Sequence, residues 1–220
     1  MNLPNKITIS RVIIIAVMII VLFTLEIVGI FVPSFRLEPL WGTNFNIVHL
    51  VVCGVFVIAA ATDWLDGYLA RKNNQVTDFG KFMDPLADKL LVNSILIFLC
   101  APQSYSAIPY GDQYLIPVFL VIIMLARDIA VDGLRLIAVT RKRVIAANVF
   151  GKMKTVAQMV TIPVLLLGGF PFSYFDSSWP QYLQIGTILL IITTIISVLS
   201  GTIYFIQNHS VLKEQKNEQN

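Results

Sequence analysis

The chain has 220 residues, 56% of them hydrophobic and 13% charged, with a mean hydropathy of +0.77 and a formal net charge of +3. It is too apolar for an ordinary soluble domain and too charged for inert membrane filler. Both cysteines, Cys53 and Cys100, fall in apolar runs, so no disulfide or zinc framework is implied, and the small positive charge needs no nucleic acid to explain it.

In chain order, residues 1–9 alternate polar groups with Leu3, Ile7 and Ile9, which predicts a short interfacial segment on the membrane surface. Apolar runs follow at residues 10–31, 47–61, 86–100, 114–126, 156–167 and 182–205. Some are shorter than the ~20 residues a span needs, but polar residues continue the helical pattern at one end of each short run. The first run is long and lacks a small-x-small cleavage site, so a retained helix is expected rather than a secretory signal.

Lys and Arg are kept on the cytoplasmic side of a span. Here Lys6 and Arg11 precede the first run, Arg71, Lys72 and Lys81 lie between the second and third, and Arg141, Lys142, Arg143, Lys152 and Lys154 lie between the fourth and fifth. Lys213 and Lys216 follow the sixth, while the other loops carry only Arg36. The alternation predicts an all-α integral membrane protein with six transmembrane helices, multi-pass in the cell membrane, with both termini cytoplasmic. No repeat interrupts it, so 1–220 reads as a single domain with a frayed tail at 210–220. The cationic face suits anionic membrane lipids.

Between the second and third runs stands D-W-L-D-G-Y-L-A-R-K-N-N-Q-V-T-D-F-G-K-F-M-D-P-L-A-D, residues 63–88. A charged side chain at membrane depth costs roughly 2.5 to 3.5 kcal/mol on insertion scales, so Asp63, Asp66, Asp84 and Asp88 need compensation. At about 100° per residue, Asp63, Asp66, Gly67 and Ala70 share one helix face, and Gly80, Asp84 and Asp88 share another. If the two helices are antiparallel neighbours, the stripes face each other and the carboxylates converge, with small residues leaving room for a ligand. Pro85 could instead make Asp84 an N-cap or kink the helix. Hard oxygens in this number suit Mg²⁺ or Mn²⁺, and two such ions would balance four negative charges. Paired cations of that kind favour phosphoryl transfer. Structural ion pairs with Lys81 and Lys89 are the alternative.

The pattern D-x-x-D-G-x-x-A-R, eight residues, then G-x-x-x-D-x-x-x-D resembles the signature of the CDP-alcohol phosphotransferases, with every fixed position present from Asp63 to Asp88. The resemblance implies a six-helix membrane enzyme, usually a homodimer, that moves a phosphatidyl-type group from a CDP-linked donor to an alcohol and releases CMP. It implies that Asp63, Asp66 and Asp84 hold the metals and that Asp88 takes the acceptor proton while also touching a metal. Asp66, Gly67, Ala70, Arg71 and Gly80 would shape the nucleotide pocket for CDP-diacylglycerol, with Asn5 and Thr8 helping to cover it.

The fourth run ends in R-D-I-A-V-D-G-L-R, where helical spacing aligns Asp128, Asp132 and Arg135, with Arg127 about 80° away. These charges could merely neutralise each other, but an Arg fork is also a natural phosphate partner. With G-K-M-K-T-x-x-Q and the amino-terminal L-P-N-K-I-T-I-S-R, the chain resembles the branch of that family whose acceptor is glycerol 3-phosphate. Arg127, Arg135 and Lys152 are then the expected acceptor-binding cations. Asp128 and Asp132 depart from the branch pattern, so inositol phosphate, inositol, serine or phosphatidylglycerol stand as alternative acceptors. Intramembrane prenyltransferases and a divalent-cation transporter are rival readings outside the family, although the inverted repeats of many transporters are not seen. His49 and His209 read as structural.

Overall fold

The computed structural model describes residues 3–72, 78–109, 112–141, 149–176 and 178–209. Among them the regular structure is helical: α1 (Leu3–Phe31), α2 (Ile47–Lys72), α3 (Asp78–Cys100), α4 (Val118–Thr140), α5 (Val149–Leu166), the single turn α6 (Ser173–Asp176) and α7 (Ile185–Gln207), with a 3₁₀ turn at Gln181–Leu183. Two isolated bridges, Leu37 to Ser106 and Pro39 to Asn46, are the only β pairing among these residues.

Residues 3–9 are not a separate segment. They continue into α1, because Pro4 falls in the first turn, where its missing N–H removes no intrahelical bond. At 29 residues α1 is roughly 43 Å long, well beyond a ~30 Å hydrocarbon layer. Helix α2 is started by Asn46, whose Oδ1 accepts the backbone N–H of Val48 at 3.0 Å and of His49 at 3.4 Å, the geometry of an N-cap. His49 is buried with Nδ1 3.0 Å from Asn46 Oδ1, the structural role expected of it. Pro85 lies inside α3, so Asp84 is a helical residue rather than a cap.

Among the described residues, three helices are long and apolar enough to cross a membrane, over Asn5–Phe31, Val149–Leu166 and Ile185–Gln207, and α2 carries a shorter apolar stretch, Ile47–Asp63. Composition alone marks fewer spans than six because α3 carries Asp78, Lys81, Asp84, Asp88 and Lys89, and α4 carries Arg127, Asp128, Asp132 and Arg135.

The chain divides into two compact units, Met1–Ile116 with Ile162–Gly186, and Pro117–Thr161 with Thr187–Asn220. In the first, α1 packs against both α2 and α3. Its core includes Ile15, Phe56, Ile95, Leu96 and Leu99, and the non-helical stretch 32–46 is tied to the 101–107 stretch by Leu37 N–H to Tyr105 O at 2.7 Å and Ala107 N–H to Leu37 O at 3.0 Å. In the second, Val131, Leu134 and Ala138 of α4 pack on Tyr204 of α7, and the Thr161 and Thr193 hydroxyls bond at 2.8 Å.

Candidate functional site

In the first unit, Thr8, Arg11, Ile15 and Met18 make a buried stripe along α1. Spacings of three, four and three keep them on one face. The two polar members meet the acidic motif. The Arg11 guanidinium donates from Nη1 to Asp63 Oδ1 at 2.5 Å, and the Thr8 hydroxyl donates to Asp84 Oδ1 at 2.9 Å. Arg11 is only 4% exposed, whereas the Asp63 side chain is 51% exposed. Asp84 and Asp88 lie one turn apart on α3, both half-buried.

The sequence predicts that the acids of α2 and α3 face each other. Among the described residues, α1 lies against both helices and holds one carboxylate of each. Gly67 and Gly80 lie within α2 and α3 as expected, and Asn5 lies in the first turns of α1. The side chains of Asp66, Ala70 and Arg71 fall outside the described residues, so convergence of all four carboxylates does too. Among the described residues, no three His, Cys, Asp or Glu side chains gather as a metal site. The donor chemistry nevertheless fits a hard divalent cation, since Arg11 and Thr8 each engage Oδ1 and, among the contacts of the described residues, leave the second oxygen of Asp63 and Asp84 for a ligand.

In the second unit, Asp128 of α4 is buried and clasped from two sides. Arg127 Nη1 reaches its Oδ1 at 2.8 Å, and Lys154 Nζ of α5 reaches Oδ1 at 2.6 Å and Oδ2 at 2.5 Å. Arg127 also donates from Nη2 to the Ser200 hydroxyl of α7 at 2.7 Å, while its Nε is buried without a hydrogen-bond partner. Gly201 makes room for this arginine, because a Cβ there would come 2.8 Å from Arg127 Cγ. A pocket of about 440 Å³ opens beside Arg127, lined by Ile123, Ala130, Val198, Thr202 and Phe205.

Arg135 is not neutralised by the aspartates of its own helix face among the contacts described. It donates from Nε to the Tyr204 hydroxyl at 3.1 Å, with its guanidinium 5.4 Å from that ring's centre. Lys152, chosen from the sequence, is exposed and outside this clasp; the lysine that reaches Asp128 is Lys154. Sequence reasoning missed Arg11 and Lys154 because each is also explained as a cytoplasmic flank of a span. The available signal for Arg11 was its place three residues from Thr8 on an otherwise apolar helix.

Across residues 1–199 the sequence matches the CDP-alcohol phosphatidyltransferase family. It is 40% identical to the CDP-diacylglycerol–glycerol-3-phosphate 3-phosphatidyltransferase of Bacillus subtilis over 96% of this chain and 97% of that protein. The protein of the same name from Rickettsia typhi is 33% identical over 93% and 95% of the two chains. A second enzyme of that name from Arabidopsis thaliana is 32% identical over 92% and 83%.

Proposed function

The chain belongs to the CDP-alcohol phosphatidyltransferase family, and from that premise we propose that it transfers a phosphatidyl group from CDP-diacylglycerol to glycerol 3-phosphate, giving phosphatidylglycerophosphate and CMP. It is a transferase of phospholipid biosynthesis, as its relatives are named to be. The family match over nearly the whole chain favours this over divalent-cation transport or prenyl transfer.

The observation that carries the acceptor assignment is the buried cluster of Arg127, Asp128 and Lys154. An acceptor that already bears a phosphate requires cations sheltered from water, where their attraction is less screened. Inositol or serine, which have no phosphate, would make no use of these cations. Arg127, Arg135 and Lys154 are the acceptor-binding candidates supported by these contacts, and Lys152 stays as a more exposed one.

In the proposed reaction Asp63, Asp66, Asp84 and Asp88 would hold Mg²⁺ or Mn²⁺, two ions matching four carboxylates, which when bound would supply charge neutralisation at the donor diphosphate. Asn5, Thr8, Gly67, Ala70, Arg71 and Gly80 bind the liponucleotide, Arg71 countering phosphate charge and the small residues leaving space. Asp88 accepts the proton of the glycerol hydroxyl as that oxygen attacks the phosphorus carrying diacylglycerol. The new P–O bond forms as the bond to CMP breaks, and CMP leaves with the electron pair. The topology that suits this chemistry has six spans, both termini and the active site in the cytoplasm of a cell-membrane protein, and a homodimeric assembly.

Incubating the purified protein with CDP-diacylglycerol and, separately, labelled glycerol 3-phosphate, inositol phosphate, inositol, serine and phosphatidylglycerol tests the reading. A new labelled lipid should form, with CMP released, only from glycerol 3-phosphate. EDTA should stop the reaction and Mg²⁺ or Mn²⁺ restore it. Product from another acceptor would overturn the acceptor assignment, and absence of CMP would overturn the reaction class.

A further inference from the structure

Arg11 is in the wrong environment for a residue whose only task is to mark the cytoplasmic end of a span. Lys6, five residues earlier, is exposed as such a flank should be, while Arg11 is 4% exposed and aims Nη1 at Asp63 Oδ1 from 2.5 Å. Thr8 makes the parallel contact to Asp84 with a neutral hydroxyl. A hydroxyl orients a carboxylate but adds no charge, so of these two α1 contacts only Arg11 offsets the repulsion among the acids.

We propose that Arg11 is the built-in counter-charge of the acidic site. Its guanidinium neutralises part of the aspartate set when no divalent cation is bound, and it grips Asp63 by one oxygen so that the other stays open to a cation. The proposal rests on the reading of these aspartates as metal-holding residues. It separates two effects of opposite sign. A residue that only orients a ligand strengthens metal binding, and its loss weakens affinity about 10- to 100-fold. A counter-charge competes with the cation, so its loss tightens binding. Even with water-like screening, removing a unit positive charge from one oxygen while a dication occupies the other is worth about tenfold in affinity.

The test uses the purified full-length chain in detergent with Mn²⁺ alone as probe, read by paramagnetic resonance of free Mn²⁺ and by thermal melting. Arg11→Met should bind Mn²⁺ about tenfold more tightly than the parent chain. Without metal it should melt earlier, with the gap closing at saturating Mn²⁺. Arg11→Lys, which keeps the charge, should stay near the parent in both readouts. Arg11→Met combined with Asp63→Asn should recover metal-free melting, because neither charge is left alone. Equal or weaker Mn²⁺ binding by Arg11→Met, or a double variant no better than the single, overturns the counter-charge. If the parent chain shows no Mn²⁺ binding that Asp84→Asn removes, the metal-holding reading itself falls, and this inference with it.

Discussion

Asp88 and Asp128 are both acids within largely apolar helices, yet substitution should affect them differently. Asp88 is half-buried on α3, a turn beyond the residue that Thr8 holds. Asp88→Asn keeps size and hydrogen-bonding capacity but removes proton acceptance, so turnover should fall by about 10² or more, the low end of what a positioned base contributes. Melting temperature should change little, and CMP release under saturating substrates is the measurement. Asp128 instead balances Arg127 and Lys154 in a buried setting. Its change to Asn leaves those cations without their shared carboxylate and should destabilise the chain by about 3 to 5 kcal/mol, as breaking buried pairs does. Asp128→Glu, which can restore the clasp, should melt closer to the parent. The candidate acids were legible in the sequence because their spacing repeats a helical turn and their charge is anomalous in an apolar chain. The choice of Lys154 over Lys152 was not: two residues on a helix differ by about 200°, and only the position of Asp128 shows which face matters.

Close approach between elements depends on glycines whose reason is invisible until the partner is seen. Gly29, near the end of α1, lies against the 101–107 stretch so tightly that a Cβ would stand 2.5 Å from the backbone nitrogen of Tyr105. One turn earlier, Glu26 accepts the backbone N–H of Ser104 with both oxygens, at 3.2 and 3.1 Å. Since that neighbour is backbone and cannot rotate away, Gly29→Ala should destabilise by about 1 to 3 kcal/mol, the range for overpacking, and thermal melting reads it. Gly201 on α7 is a contrasting case. Its neighbour is the Arg127 side chain from Cγ to Nε, so Gly201→Ala should displace the guanidinium from its contacts to Asp128 and Ser200. The expected readout is a several-fold higher KM for glycerol 3-phosphate with KM for CDP-diacylglycerol unchanged, given roughly 1 kcal/mol for a weakened charged contact. The helices themselves were readable from apolar runs, and their lengths were underestimated where charged turns extend them, as in α2 through Lys72 and α3 from Asp78.

Topology is decided at the scale of the whole chain, where hydropathy and cation placement disagree. Hydropathy selects α1, α5 and α7 as the long apolar helices. If only those three crossed, the two ends of the chain would lie on opposite sides of the membrane. The cations instead favour six crossings with both ends on one side, because Lys72 and Arg141 stand at helix ends rich in positive charge while Trp41 and Ser178 fall in connections nearly devoid of it. Four charges on α4 at roughly 2.5 to 3.5 kcal/mol each would prevent insertion of a lone helix. Asp128 and Arg127 satisfy each other and Lys154, and Arg135 lies over Tyr204, so much of that penalty is offset within the protein. Hence α4 should cross despite its charges. With Cys53 and Cys100 replaced, an impermeant maleimide applied to intact cells should label Trp41→Cys and Ser178→Cys but not Lys72→Cys or Arg141→Cys until the membrane is opened. Labelling of Lys72→Cys or Arg141→Cys in sealed cells would overturn six crossings with cytoplasmic ends, and labelling of Lys72→Cys would put the acidic motif on the outer side, beyond reach of a soluble phosphorylated acceptor in the cytoplasm.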